Sequence, residues 1–221
     1  GNTGCVYVSE LKEGPAAHFL VKADGTAIGR QDNEKVVTTA LQLYRERKSA
    51  KVEIDGQDFF FEVFPPKPKM LIVGAAHITV DLVRFANIFG METIVIDPRR
   101  VFASKTQFDE APDKLLDQWP AEVLGEFELD AYTYAVILSH DPKIDDQALN
   151  ILLRSDVAYI GALGSKRTHA KRVARLQGAG FSEAEIARIQ APIGVDINAK
   201  TPREIALSVM AEVIQAQNQY I

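Results

Sequence analysis

The sequence predicts an α/β protein: a Rossmann-like parallel sheet with helices on both faces, preceded by a small N-terminal α+β domain. Three observations carry this. The runs Met70-Leu71-Ile72-Val73, Thr93-Ile94-Val95-Ile96 and Ala135-Val136-Ile137-Leu138 are short and continuously apolar, as expected of strands buried on both faces. Stripes at helical spacing follow them, such as Ile78, Leu82, Phe85, Ala86 and Phe89, which stop at Gly90. Ahead of the first run stands Pro65-Pro66-Lys67-Pro68-Lys69, too rich in proline for a helix interior or a central strand.

That segment divides the chain into an α+β domain at 1–64, a stiff linker at 65–69 and the Rossmann-like domain at 70–221. In the first domain, residues 5–8 and 18–22 read as strands, the second leading into a turn at Ala23-Asp24-Gly25. Val36, Val37, Ala40, Leu41 and Tyr44 repeat as one face of a helix, with Asp32 or Asn33 as its cap. Residues 51–54 and 59–64 form a hairpin around Asp55-Gly56. So short a piece has a thin core and leans on a partner surface.

In the second domain, residues 101–130 read as irregular and acidic. Ala148, Leu149, Leu152 and Leu153 mark a helix, 157–160 a further strand, and the remainder is mostly helical. Ser182 with Glu185, and Thr201 with Glu204, have the spacing of capping boxes, and Pro202 suits a first helical turn. The last helix runs to about Gln217, with Ile205, Val209, Met210, Val213 and Ile214 on one face.

Bulk properties exclude several classes. The 221 residues carry a net charge of −5 with no basic stripe, which argues against nucleic acid as a partner. No apolar run approaches the roughly 18 residues of a membrane span, and no signal-peptide pattern is visible. The lone Cys5 makes no intrachain disulfide or cysteine cluster, and His18, His77, His140 and His169 lack metal-ligand spacing, so no metal site is expected. A cytoplasmic protein is the expectation.

Five loops carry the candidate chemistry, four of them beyond strand ends. The first is Gly74-Ala75-Ala76-His77. Against the pattern G-x-G-x-x-G, only Gly74 is kept; Ala76 puts a methyl where a pyrophosphate would approach, and Thr79 puts bulk where helix meets strand. The helix start still offers amides to an anion, and the alternative is a turn without a ligand. Asp97 ends the next strand, near the position that bonds a ribose hydroxyl, followed by Arg99 and Arg100 as phosphate partners. The alternative is a polar strand end. Ser139-His140-Asp141-Pro142 offers a histidine for acid–base work, whereas Asp141 alternatively caps the next turn. Gly161-Ala162-Leu163-Gly164-Ser165-Lys166-Arg167 joins glycines, a hydroxyl and two cations at a helix start, which suits an anion. The competing reading is a turn capped by Ser165 beside a solvated basic face of Lys166, Arg167, Lys171 and Arg172. The loop Ala191-Pro192-Ile193-Gly194-Val195-Asp196-Ile197 packs over the sheet and brings Asp196 to the others, or is a structural crossover.

Taken in order, the strings at 71–77, 138–143, 159–165 and 191–197, together with Thr201-Pro202-Arg203-Glu204-Ile205-Ala206, resemble the XdhC/CoxI family from about residue 69 to 214. The resemblance implies an accessory protein for molybdenum hydroxylases such as xanthine dehydrogenase: a chaperone that binds molybdenum cofactor (molybdopterin), aids its sulfuration and delivers it to the apoenzyme. It implies as partners the large subunit of that apoenzyme and a cofactor-sulfurating enzyme. Pro192, Gly194 and Asp196 join the crevice on this reading, with Gly161, Gly164, Ser165, Lys166 and Arg167. The sequence departs from the family at Ala76 (usually Gly), Gln190 (often His) and Asn198 (commonly Gly), and residues 24–32 lack the double-glycine acidic motif. It resembles a divergent or shortened member.

Three functions follow as expectations. The first is a non-catalytic cofactor-insertion chaperone with His140, Asp141 and Asp196 as orienting or acid–base groups. The second is an NAD(P)-dependent oxidoreductase using the Gly74 turn. The third is an interaction module with a vestigial nucleotide site. The thin first core and the apolar last helix point to a homodimer.

Overall fold

A computed structural model describes residues 4–29, 33–99 and 108–219. The chain falls into two compact units that part between Lys67 and Pro68. The linker is shorter at its end than the proline pattern implies, because Lys69 already belongs to the first strand of the second unit.

The first unit is a five-stranded antiparallel sheet in the order β3-β2-β1-β5-β4. Its strands are β1 (Cys5–Leu11), β2 (His18–Lys22), β3 (Ala27–Ile28), β4 (Ala50–Ile54) and β5 (Gln57–Phe64). The helix α1 (Glu34–Glu46) starts at Asn33, whose side chain accepts the Lys35 amide. Asp55 and Gly56 both have positive φ, the requirement of a tight two-residue hairpin between twisted strands. Alternate residues of β1 and β2 (Val6, Val8, Phe19, Val21) meet Val36, Ala40 and Leu43 of α1 in a small core with Phe61.

The second unit has a six-stranded, wholly parallel sheet. Its strands are β6 (Lys69–Val73), β7 (Glu92–Ile96), β8 (Lys114–Leu116), β9 (Thr133–Ile137), β10 (Tyr159–Ala162) and β11 (Ile189–Gln190). The order β11-β10-β9-β6-β7-β8 is that of a doubly wound dinucleotide fold, and the chain reverses direction across the sheet between β6 and β9. Period-two alternation sends neighbouring strand residues to opposite faces. Leu71, Val73, Ile94, Ile96, Ala135 and Ile137 pack on one face with α4 (Pro142–Leu152), α5 (Lys166–Gly178) and the short α3 (Pro120–Val123) and α6 (Glu183–Ile186). Met70, Ile72, Val95, Tyr134 and Val136 pack on the other with α2 (His77–Ile88) and α7 (Pro202–Asn218). Both predicted capping boxes form, with Ser182 and Glu185 bonded reciprocally and the Thr201 amide donating to Glu204 at 2.9 Å.

Three elements differ from the sequence reading. The stretch read as irregular contains β8 and α3; a three-residue strand is too short to display a period. The strand expected at 157–160 is set two residues later, because Asp156 to Ala158 form its approach. The segment before Ala191, read as helical, includes β11, which adds two pairs at the edge of the sheet.

Candidate functional site

The carboxyl ends of β6, β7 and β9 come together at the reversal point, where open α/β sheets bind ligands. Gly74 sits there with φ +109, and a Cβ on it would lie 2.5 and 2.6 Å from the Ser139 N and Cα. Two backbones therefore touch, which only glycine permits. Thr79, which the sequence suggests as unwelcome bulk, is fully buried and donates its hydroxyl to the Gly74 carbonyl at 2.6 Å. It pins the turn to the first turn of α2. Ala76 is the N-cap of that helix and supplies no capping side chain.

Asp97 is fully buried and its carboxylate accepts four hydrogen bonds. Oδ2 accepts from the Ala75 amide and from Arg99 Nη2, each at 2.7 Å. Oδ1 accepts from the Arg99 amide at 3.0 Å and Arg99 Nε at 2.9 Å. A carboxylate has about four acceptor positions, so none is left for a ribose hydroxyl. Burial by itself would raise the Asp97 carboxyl; the bonds from Arg99 and Ala75 outweigh it and hold it below the usual range. Arg99 Nη1 reaches the Ser139 carbonyl at 3.4 Å. The Ser139 hydroxyl donates to Asp145 Oδ1 at 2.5 Å, and Arg172 Nη2 reaches Asp145 Oδ2 at 3.5 Å and the Leu163 carbonyl at 3.0 Å. One chain of polar contacts thus crosses the strand ends from the Gly74 turn to the loop after β10.

The other candidates have defined stations. Asp141 caps α4 by accepting the Lys143 amide at 2.9 Å, the bracing role the sequence also allows. His140 precedes it, exposed and in the left-handed region at φ +60. Ser165 caps α5 by accepting the Thr168 amide at 3.2 Å, beside Gly164 at φ +131. Gly161 falls inside β10, where a Cβ would collide with Ile193 and the Tyr159 hydroxyl. The loop holding Pro192 and Gly194 is stapled down: the Gly194 amide donates to Glu212 at 2.8 Å, the Ile193 amide to the Ala162 carbonyl at 3.2 Å. Glu212 also accepts the Tyr159 hydroxyl, and burial with that neighbouring carboxylate pushes the tyrosine pKa far up. Asp196 is exposed and accepts the Asn198 amide at 3.1 Å. Arg100 lies outside the described residues.

Among the described residues, three of the candidates open on two cavities. His77 opens on a cavity of about 570 Å³ with Asp81, Arg84 and Arg203. His140 and Arg167 open on a smaller one of about 200 Å³ between α4 and α5, walled also by Asp145, Lys171 and Arg172. The Gly74–Ser139 contact and the Asp97–Arg99 pair lie at the reversal point. Arg172 corrects the sequence reading: counted with a solvated basic face, it is only 1% exposed. Its signal is positional, since it sits four residues before the buried Leu176 on the inward stripe of α5. Asp145 was also missed; it looks like a helix-start acid and is buried. Burial outweighs the Ser139 and Arg172 contacts and pushes its carboxyl up.

Likeness to known proteins agrees with this fold. Residues 70–213 match the family described as the XdhC Rossmann domain. The Escherichia coli (strain K12) protein YqeB is 28% identical over 222 residues, 92% of this chain and 41% of that protein. A Bacillus subtilis (strain 168) protein named as a probable xanthine dehydrogenase component is 32% identical over 73% of this chain and 47% of its own. The molybdenum cofactor insertion chaperone PaoD of E. coli K12 is 34% identical over 50% of this chain and 33% of its own. The chain thus spans less than half the length of each of these curated relatives. A crystal structure of a xanthine dehydrogenase from Bacillus halodurans superposes with a TM-score of 0.73 at 26% identity, covering 99% of this chain and 63% of that one. No described helix is long and apolar enough to cross a membrane. The family match covers well over half of the chain, its fold is the one found here, and the chain belongs to the XdhC family.

Proposed function

We propose that the chain binds molybdenum cofactor and serves the maturation of a molybdenum hydroxylase of the xanthine dehydrogenase type, as a chaperone and not a catalyst. The observation that carries this is the match across 70–213 to a family whose relatives bear names of that kind, PaoD among them. The saturation of Asp97 favours it over the oxidoreductase reading, because a nicotinamide dinucleotide needs a ribose acceptor there and meets a spent carboxylate. The basic residues at the start of α5, Lys166 and Arg167, suit the phosphate end of the cofactor. The bound group supplies its own metal chemistry to the client, and this chain's residues bind and orient it. His140, on the wall of the smaller cavity, is the orienting side chain. The partners of this reading are a cofactor-sulfurating enzyme and the large subunit of the apoenzyme, and its assembly is a homodimer.

The test is direct. Released molybdenum cofactor, NAD and NADP are each mixed with purified protein, and retention on gel filtration is measured. Retention of the first alone supports the chaperone. Nicotinamide binding with turnover replaces it by the enzyme. Retention of none, with co-purification of an apo hydroxylase, leaves an interaction module.

A further inference from the structure

Arg172 is the most unusual charge among the described residues. It is 1% exposed, yet its Nε and Nη1 have no protein partner. These two nitrogens carry three of the five guanidinium N–H donors. Other arginines of the same unit are better matched. Arg99 and Arg175 each give Nε and Nη2 to one carboxylate, and Arg188 spans two backbone carbonyls. Arg172 has only the Leu163 carbonyl and a long contact to Asp145, whose other oxygen is taken by Ser139. Burying a charge with so few partners is costly, and an anion that also accepts from the free donors offsets part of that cost.

The surroundings supply the shape. Arg172 lines the cavity of about 200 Å³ between α4 and α5, with Arg167, Thr168, Lys171 and His140. That volume is below the roughly 300–1,000 Å³ of sites that enclose a whole small-molecule ligand. It suits a head group. Arg175 is occupied by Asp146, which leaves Arg167, Lys171 and Arg172 facing the single carboxylate Asp145. Leaving His140 aside, the excess is two positive charges, the complement of a dianion. The amino end of α5 adds its dipole to the same side.

We propose that this cavity is a binding site for a dianionic phosphate monoester, with Arg172 as the buried anchor and Arg167 and Lys171 as its exposed arms. This places the phosphate grip on α5 and not on the Gly74 turn, whose Ala75 amide is engaged by Asp97. Only the identity of the molecule that carries the phosphate rests on the function proposed above; a nucleotide 5′-phosphate presents the same chemistry.

Inorganic phosphate is the first probe, titrated calorimetrically into the full chain near neutral pH. We expect saturable binding, weakened at least about tenfold in Arg172→Gln and in the double variant Arg167→Ala/Lys171→Ala. The double variant alters exposed residues, so it reads the site even where loss of the buried arginine unfolds the chain. No binding to the wild type, or equal binding to the wild type and the folded double variant, overturns the proposal. Competition then identifies the source. Displacement of phosphate by molybdenum cofactor, or by AMP, supports a monoester site and names its carrier. Failure of both to displace phosphate overturns the monoester assignment. Cofactor retention by the wild type, measured without phosphate, judges the chaperone reading separately.

Discussion

The reversal point and the α4–α5 cavity sit at the same edge of one sheet and share one chain of polar contacts, but they handle charge in opposite ways. At the reversal point, Asp97 is buried and fully bonded, and Arg99 closes both of its oxygens in a fork. At the cavity, Asp145 is divided between a hydroxyl and a distant guanidinium, and Arg172 keeps donors without partners. A closed set of bonds holds strands in place. An open set leaves donors to spare. The position that defines a dinucleotide site in this fold is bonded within the chain, while the unpartnered donors lie one loop along the sheet.

This contrast can be broken in three ways. The largest effect is expected from Gly74→Val. It forces a branched side chain into a left-handed φ and against the Ser139 backbone, and should cost about 3–5 kcal/mol in urea unfolding. A loss below about 1 kcal/mol would mean that the two backbones separate easily.

Next come the two buried carboxylates, whose pH dependences should run in opposite directions. Asp97 has a folded pKa held below its unfolded value near 3.9, so its stabilising contribution is present above that value and lost as pH falls through the folded pKa. Asp97→Asn should destabilise by about 2–4 kcal/mol at neutral pH, with the gap to wild type shrinking in acid. Asp145 has a folded pKa raised by burial, so its contribution is full below the unfolded value and lost as pH rises through the folded one. Asp145→Asn should therefore cost less at neutral pH than Asp97→Asn, and its gap to wild type should widen in acid. Parallel slopes in thermal or urea unfolding would remove the distinction between the closed and the open site.

The smallest effect sharpens the comparison. Ala76→Gly restores the second glycine of the dinucleotide pattern and should alter stability by no more than about 0.5 kcal/mol. It should leave NAD binding undetectable by calorimetry, because the obstacle is the saturated Asp97 and not one methyl. Measurable NAD binding to this variant would put the obstacle back at residue 76.

Much of this was legible in the sequence. Buried strands at 70–73 and 93–96 announce themselves by continuous apolar runs, and the spacing from Gly74 to Asp97 points to a Rossmann turn. Strands β8 and β11 were hidden because two or three residues hold no period. The site was harder. Spacing finds Asp97 but cannot show that Arg99, two residues on, would turn back and consume it. Arg172 has the look of one more solvated cation among Lys166, Arg167 and Lys171, and its place beside Leu176 on the inward stripe was the available clue. Whether a charge is spent or spare depends on partners brought from distant loops, and local pattern carries no record of them.

The touching of Gly74 and Ser139 has a consequence for traffic at this edge. In an open doubly wound sheet the gap between the two central strand ends is a slot into which a flat molecule can slide edge-on. Here main chain meets main chain at that slot, and any Cβ at residue 74 would strike the Ser139 backbone. On the carrier reading proposed above, a cargo would rest against this edge and not between the strands, where another protein could lift it off without the sheet having to part.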